Sequence, residues 1–145
     1  MELIPIRQTV EENKIFAAHP DCQESLPLTL EFYKRVGFYL PWISYYAQKD
    51  GGLVGCAAYK GKPIAGKVEI AYGTFEQFRQ QGIGTEIAQK LVELSLATDP
   101  SVQITARTLP ENNFSTKILQ KNGFRYLGTI FDEEDGEVWE WRYKP

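Results

Sequence analysis

The chain has 145 residues, 43% of them hydrophobic, which suits one domain with a sizeable core and is too apolar for a disordered chain. With 16 basic against 19 acidic residues the net charge is -3, so no basic excess exists to displace counterions from nucleic acid or to hold an anionic membrane. Two cysteines, Cys22 and Cys56, and one histidine, His19, exclude a disulfide framework and a Cys/His zinc cage, and no metal is expected.

Met1 to Pro5 lacks the charged-then-apolar plan of a signal peptide, and no apolar run reaches the ~20 residues of a membrane span, so a soluble cytoplasmic protein is expected. Leu3 to Arg7 reads as a short strand. Thr9 then suits a helix N-cap, with Glu11 and Glu12 in the first turn and a stop near His19-Pro20. A second helix runs from about Leu28 to Val36 and ends at Gly37. The next segment is dense in aromatics: Phe32, Tyr33, Phe38, Tyr39, Trp42, Tyr45 and Tyr46 either wall a pocket or build a plain core.

Strands follow over Trp42 to Gln48, Gly52 to Tyr59 and Val68 to Phe75. The first pair is joined by the turn Lys49-Asp50-Gly51-Gly52. Ile83, Ile87, Leu91 and Leu94 fall on one face of the clearest helix, which Asp99-Pro100 ends. Val102 to Leu109 is a strand and Asn112 to Asn122 a short helix closed by Gly123. Phe124 to Ile130 and Glu137 to Tyr143 pair around the acidic turn Asp132-Glu133-Glu134-Asp135-Gly136. The order β-α-α-β-β-β-α-β-α-β-β, with hairpins flanking a central strand-helix-strand unit, defines an α+β class with a mixed, mostly antiparallel sheet.

At the third middle strand the apolar run Val68 to Phe75 feeds a glycine-bearing loop, Arg79-Gln80-Gln81-Gly82-Ile83-Gly84, that opens the amphipathic helix. A helix start carries unpaired N–H groups and the positive dipole end, and glycines let backbone approach an anion, so a phosphate or pyrophosphate site is expected there. The loop is neither a Walker loop nor a Rossmann fingerprint.

The loop resembles the Gln/Arg-x-x-Gly-x-Gly/Ala motif of the GNAT acyl-CoA-dependent N-acetyltransferase superfamily. Val-Glu-Ile-Ala-Tyr-Gly before it and Thr85-Glu86 after it resemble the branch that acetylates ribosomal-protein N-termini. Asn112 to Ser115 and Ile118 to Phe124 are similar to that branch's Asn-x-x-Ser and Lys-x-Gly-Phe elements. The resemblance is firm over residues 67–125 and implies one N-acetyltransferase domain over 1–145.

By that resemblance the acyl donor is acetyl-CoA, and the acceptor is a small-molecule amine or peptide N-terminus that takes the acetyl group directly in a ternary complex. No nucleic acid or membrane partner is implied, and a homodimer stays open. Cofactor contacts are expected from Thr74, Phe75, Glu76, Arg79, Gln80, Gln81, Gly82, Ile83, Gly84, Thr85, Asn112 and Ser115.

An alkyl amine near pKa ~10 must lose a proton before it attacks, the developing oxyanion needs donors, and the thiolate leaves more easily if protonated. Glu69, ionisable within an apolar strand and sharing a face with Ala71 and Gly73, is the candidate base. Its alternative is a glutamate salt-bridged to Lys67 or a neighbouring strand. By its match to that branch's serine Ser115 is the candidate acid or thiol-side hydrogen-bond donor; Leu119 stands where many members of the superfamily carry a tyrosine. Asn112 and Ser115 serve equally well as helix caps. His19 reads as a helix-end residue and Cys56 as core.

The missing tyrosine favours a rival, a non-catalytic acyl-CoA-binding or sensor module; an adaptor working through its aromatics is a third class and would lack CoA affinity. The carboxylates of the acidic turn would attract a cationic acceptor if they border its entrance.

Overall fold

The computed structural model describes residues 1–145. Seven strands, β1 (Glu2–Pro5), β2 (Ser44–Lys49), β3 (Gly52–Tyr59), β4 (Lys67–Thr74), β5 (Gln103–Thr108), β6 (Phe124–Asp132) and β7 (Gly136–Tyr143), form one sheet in the order β1-β2-β3-β4-β5-β7-β6. Only β4 and β5 are parallel, and the crossover such a pair requires is the long helix α3 (Ile83–Thr98). The short helices α1 (Lys14–Ala17) and α2 (Ser25–Val36) precede β2, and α4 (Phe114–Lys121) joins β5 to β6. Element order and class agree with the sequence reading.

Directly paired residues on neighbouring strands share a face, so the register assigns each side chain to a layer. One face lies under α3 and α4: the Tyr59 hydroxyl donates to the Leu91 carbonyl of α3 at 2.6 Å, and Val68, Ile70, Ile104 and Ala106 pack there. Ile83, Ile87 and Leu91 are buried as the helical spacing predicts, whereas Leu94 is half-buried and Ser95, four residues after Leu91, continues the buried stripe. The opposite face is covered only over its first half. There Phe16 of α1 meets Tyr46 edge-on at 4.7 Å, and Ser25 of α2 hydrogen-bonds the Tyr46 hydroxyl at 2.6 Å. From β4 to β6 this second face is open.

Several boundaries differ from expectation for local reasons. Thr9 does receive the Glu12 N–H at 3.1 Å, but the helix it starts is brief. Asn13, 2% exposed, turns its side chain back onto Arg7 and Thr9 and holds Glu11–Asn13 in a 3-10 turn, leaving α1 one turn long. α2 starts at Ser25 rather than near Leu28, since Pro27 in the first turn needs no N–H acceptor. The aromatic segment is mostly core: Tyr33, Tyr45 and Tyr46 are buried, and the Tyr33 hydroxyl donates to the Ile6 carbonyl at 2.8 Å while accepting the Ser44 N–H at 3.0 Å. Tyr39, by contrast, is exposed beneath Lys62.

Candidate active site

The β4–β5 ladder runs from Lys67↔Gln103 to Ile70↔Ala106 and stops, although β4 continues to Thr74 and β5 to Thr108. Beyond Ile70 the two strands part. Peptide groups alternate along β4: the Glu69 carbonyl accepts from Lys60 N–H on the β3 side, while the Val68 carbonyl accepts from the Thr105 hydroxyl on the β5 side. The N–H groups of Tyr72 and Thr74 therefore face the gap. Gly73 between them has open space where a Cβ would stand.

At the mouth of this gap α3 begins. No backbone N–H from Gln80 through Thr85 has an acceptor within the protein; the first satisfied one belongs to Glu86, which donates to Gly82 O at 3.1 Å. Six consecutive unpaired donors at a helix start make a cradle for an anion. Gln80 (φ 63°) and Gly82 (φ 78°) take left-handed backbone to present them. Arg79 is exposed and free of ion pairs beside the cradle, and Glu76 and Phe75 form its strand-side rim. The two glycines differ. Gly82 faces open space, but a Cβ on buried Gly84 would lie 2.7 Å from Ile118 Cδ1 of α4 and 3.4 Å from Thr74 Oγ1. Gly84 is a packing glycine that lets α3, α4 and β4 converge.

Across the gap stands the first turn of α4. Its cap is Asn113, which accepts the Thr116 N–H at 3.1 Å while the Thr116 hydroxyl receives the Asn113 N–H at 3.0 Å. Capping is thus done by these two residues rather than by Asn112 and Ser115, whose side chains make no hydrogen bond within the protein. Leu119 is fully buried core. A side chain assigned no role from the sequence reaches this turn: the Tyr72 hydroxyl, 3.4 Å from the Ser115 carbonyl, is kept protonated well above the usual phenol range by burial. Its signal was parity, since Tyr72 points to the α3/α4 face where the strands have already parted.

On the open face Glu69 lies between two cations, Lys60 Nζ at 3.3 Å and Arg107 Nε at 3.6 Å. The salt-bridged alternative is therefore realised, with Lys60 and Arg107 rather than Lys67. Arg107 also bonds Asp132 at 2.8 Å; burial works against its charge, and Asp132, Glu69 and Glu140 outweigh that. Asp132 is held below the usual carboxylate range by the Glu134 N–H, then by Arg107 and the Asp135 N–H. The acidic turn is thereby drawn over the open face, with Arg35 of α2 reaching Glu134 at 4.0 Å.

His19 accepts the Asp21 N–H on Nδ1 at a 3-10 start, a helix-end role as expected. Cys56, pushed up to about 11 by burial, is a thiol beside Tyr46 on the part of the face that α1 and α2 cover. A depression of about 620 Å³ between β1, α1 and the β2–β3 turn shares no lining residue with the gap.

Parallel strands that part ahead of a helix start with unpaired donors set a gap and an anion cradle side by side in this α+β fold. The chain belongs to the GNAT family: the family described as "Acetyltransferase (GNAT) domain" matches residues 7–125. The uncharacterized N-acetyltransferase YjdG of Bacillus subtilis (strain 168) is 34% identical over 92 residues, 63% of this chain and 52% of the relative, so the chain spans about half the length of the curated relative it matches. Among solved structures, aminoglycoside acetyltransferase AAC(6')-Ib in complex with coenzyme A superposes with TM-score 0.68 at 20% identity, covering 97% of this chain and 91% of that one. RimL, a ribosomal-protein alpha-N-acetyltransferase, gives 0.67 at 15% identity over 97% and 90%. At such identities these two likenesses speak to the fold.

Proposed function

We propose that the protein is an acetyl-CoA-dependent N-acetyltransferase that passes the acetyl group directly to an amine, of a small molecule or a peptide N-terminus, in a ternary complex. The observation that carries this reading is the run of unpaired N–H groups from Gln80 to Thr85 beside the parted end of β4. Those donors and Arg79 fit a pyrophosphate, and the N–H groups of Tyr72 and Thr74 fit an acylated arm lying along the gap. A groove of about 490 Å³ bordered by Thr85, Gln89, Lys121 and Asn122 continues the cradle and suits the nucleotide end.

Bound acetyl-CoA supplies a thioester carbonyl that an amine can attack. Within the chain, the strand N–H groups donate to the oxygen on which charge develops. Glu69 removes the amine proton, and the Ser115 hydroxyl, with the neutral Tyr72 phenol beside it, offers a proton on the sulfur side.

A second reading, a CoA-binding module without turnover, is favoured by the ion pairs that hold Glu69. The test is calorimetric titration with acetyl-CoA followed by an amine screen that includes peptides with free N-termini. Binding together with amine-dependent release of CoA supports the enzyme. Binding without acetylation of any amine leaves the module, and no binding overturns both.

A further inference from the structure

Glu69 sits between cations from both flanking strands: Lys60, just past β3, and Arg107 of β5. Arg107 follows Ala106, the last residue of the β4–β5 ladder, so it stands on the open face where the two strands begin to part. Its Nη1 is bound to Asp132 at 2.8 Å while Nη2 has no partner, and Lys60 pairs only with Glu69. Glu140 and Arg142 share this face, directly opposite Arg107 and Thr105. Around the gap the open face thus sets Lys60, Arg107 and Arg142 against Glu69, Asp132 and Glu140, and the register adds Lys67 and Arg125 to the same face.

We infer that the acceptor is a small amine carrying its own carboxylate a few bonds from the nitrogen, an amino acid or close analogue, with Lys60 and Arg107 as the carboxylate's partners. This rests on the acetyl-transfer reading. For Glu69 to take a proton it must be released from Lys60 and Arg107, whose side chains are 43% and 34% exposed, so two partly exposed cations are left side by side without the Glu69 counter-charge. A guest carboxylate takes those cations in exchange, so the ion pairs are swapped rather than broken. The unused Nη2 and Nζ donors give it charge-assisted hydrogen bonds. A purely cationic guest offers no such exchange and adds a net positive charge where two cations already stand. The short spacing follows from the 3.3 and 3.6 Å separations, which put the amine's partner and the carboxylate's partners side by side.

The experiment titrates the CoA-loaded protein calorimetrically with the common amino acids, each beside its carboxamide and its decarboxylated amine, and assays acetyl transfer to the same compounds. At least one amino acid should bind about tenfold or more tighter than its amide, the scale of one charge-assisted pair. Lys60→Gln and Arg107→Gln should each drive that ratio toward unity, and either suffices if the other loses its fold. Amides or decarboxylated amines that bind as well as the acids, a ratio unmoved in the variants, or no binding by any compound overturns the inference. Acids that bind with the expected ratio but receive no acetyl group uphold the site and sink the acetyl-transfer reading instead.

Discussion

The two sides of the gap are built from different materials. The side proposed for the cofactor, from the end of β4 through the start of α3, is main chain: unpaired N–H groups, left-handed Gln80 and Gly82, and a close approach at Gly84. The side proposed for the acceptor is side chain: Lys60, Glu69, Arg107, Asp132 and the turn that Arg35 reaches. A main-chain site binds what all its substrates share and changes only when the backbone changes. A side-chain site is open to substitution and is where selectivity is set. Variants should therefore separate, with losses of affinity for acetyl-CoA on one side and losses of rate or acceptor preference on the other.

The largest expected effect is kinetic. Glu69→Gln should lower kcat by about a hundredfold or more at neutral pH, as loss of a general base does, with acetyl-CoA affinity unchanged by calorimetry. The deficit should shrink at high pH, where free amine is abundant. An equal deficit at every pH, in folded protein, makes Glu69 a positioning residue.

On the other side, Gly82→Val must adopt a left-handed backbone costing roughly 1–2 kcal/mol and crowds the cradle, so acetyl-CoA affinity should fall about tenfold or more. Parent-like affinity would remove the cradle from cofactor binding and erase the contrast between the sides. Gly84→Ala tests packing instead. It should cost about 1–3 kcal/mol in denaturant unfolding, and Ile118→Val, which deletes the methyl in the way, should restore much of that.

Asn113 and Ser115 sharpen the contrast within one helix turn. Asn113→Ala should cost about 1 kcal/mol of stability through the lost cap. Ser115→Ala should leave unfolding unchanged and slow transfer about tenfold if its hydroxyl assists the departing thiolate. Equal rates for parent and Ser115→Ala would transfer that role to Tyr72, which Tyr72→Phe then tests.

The smallest effect concerns Glu86, held below the usual carboxylate range first by its 2.6 Å hydrogen bond from Lys49. A depressed carboxylate contributes stability above its unfolded value near ~4, and that contribution disappears as pH falls through the lower folded value. Glu86→Gln should melt about 2 °C or less below the parent at neutral pH, and the difference should close on acidification. A difference that persists in acid shows the effect is not ionic.

The sequence by itself determined the order of elements, the strand–glycine loop–helix junction and the α3 core stripe, because these rest on short-range signals. Periodicity, turn residues and the acceptors missing at a helix start are all properties of neighbours along the chain. It also put Glu69 on the face of Ala71 and Gly73, since alternation along one strand needs no partner.

Only the tertiary structure decided which side chains meet across strands. Lys60 and Arg107 flank Glu69 because β3 and β5 adopt a register fixed by burial of Tyr59, Ile70, Ile104 and Ala106, and no local pattern announces that register. The choice of Asn113 over Asn112 as cap was likewise not local. The two are chemically alike, and the fully buried Leu119, together with buried Thr116, fixes the rotation of α4 and so decides which asparagine stands at its start.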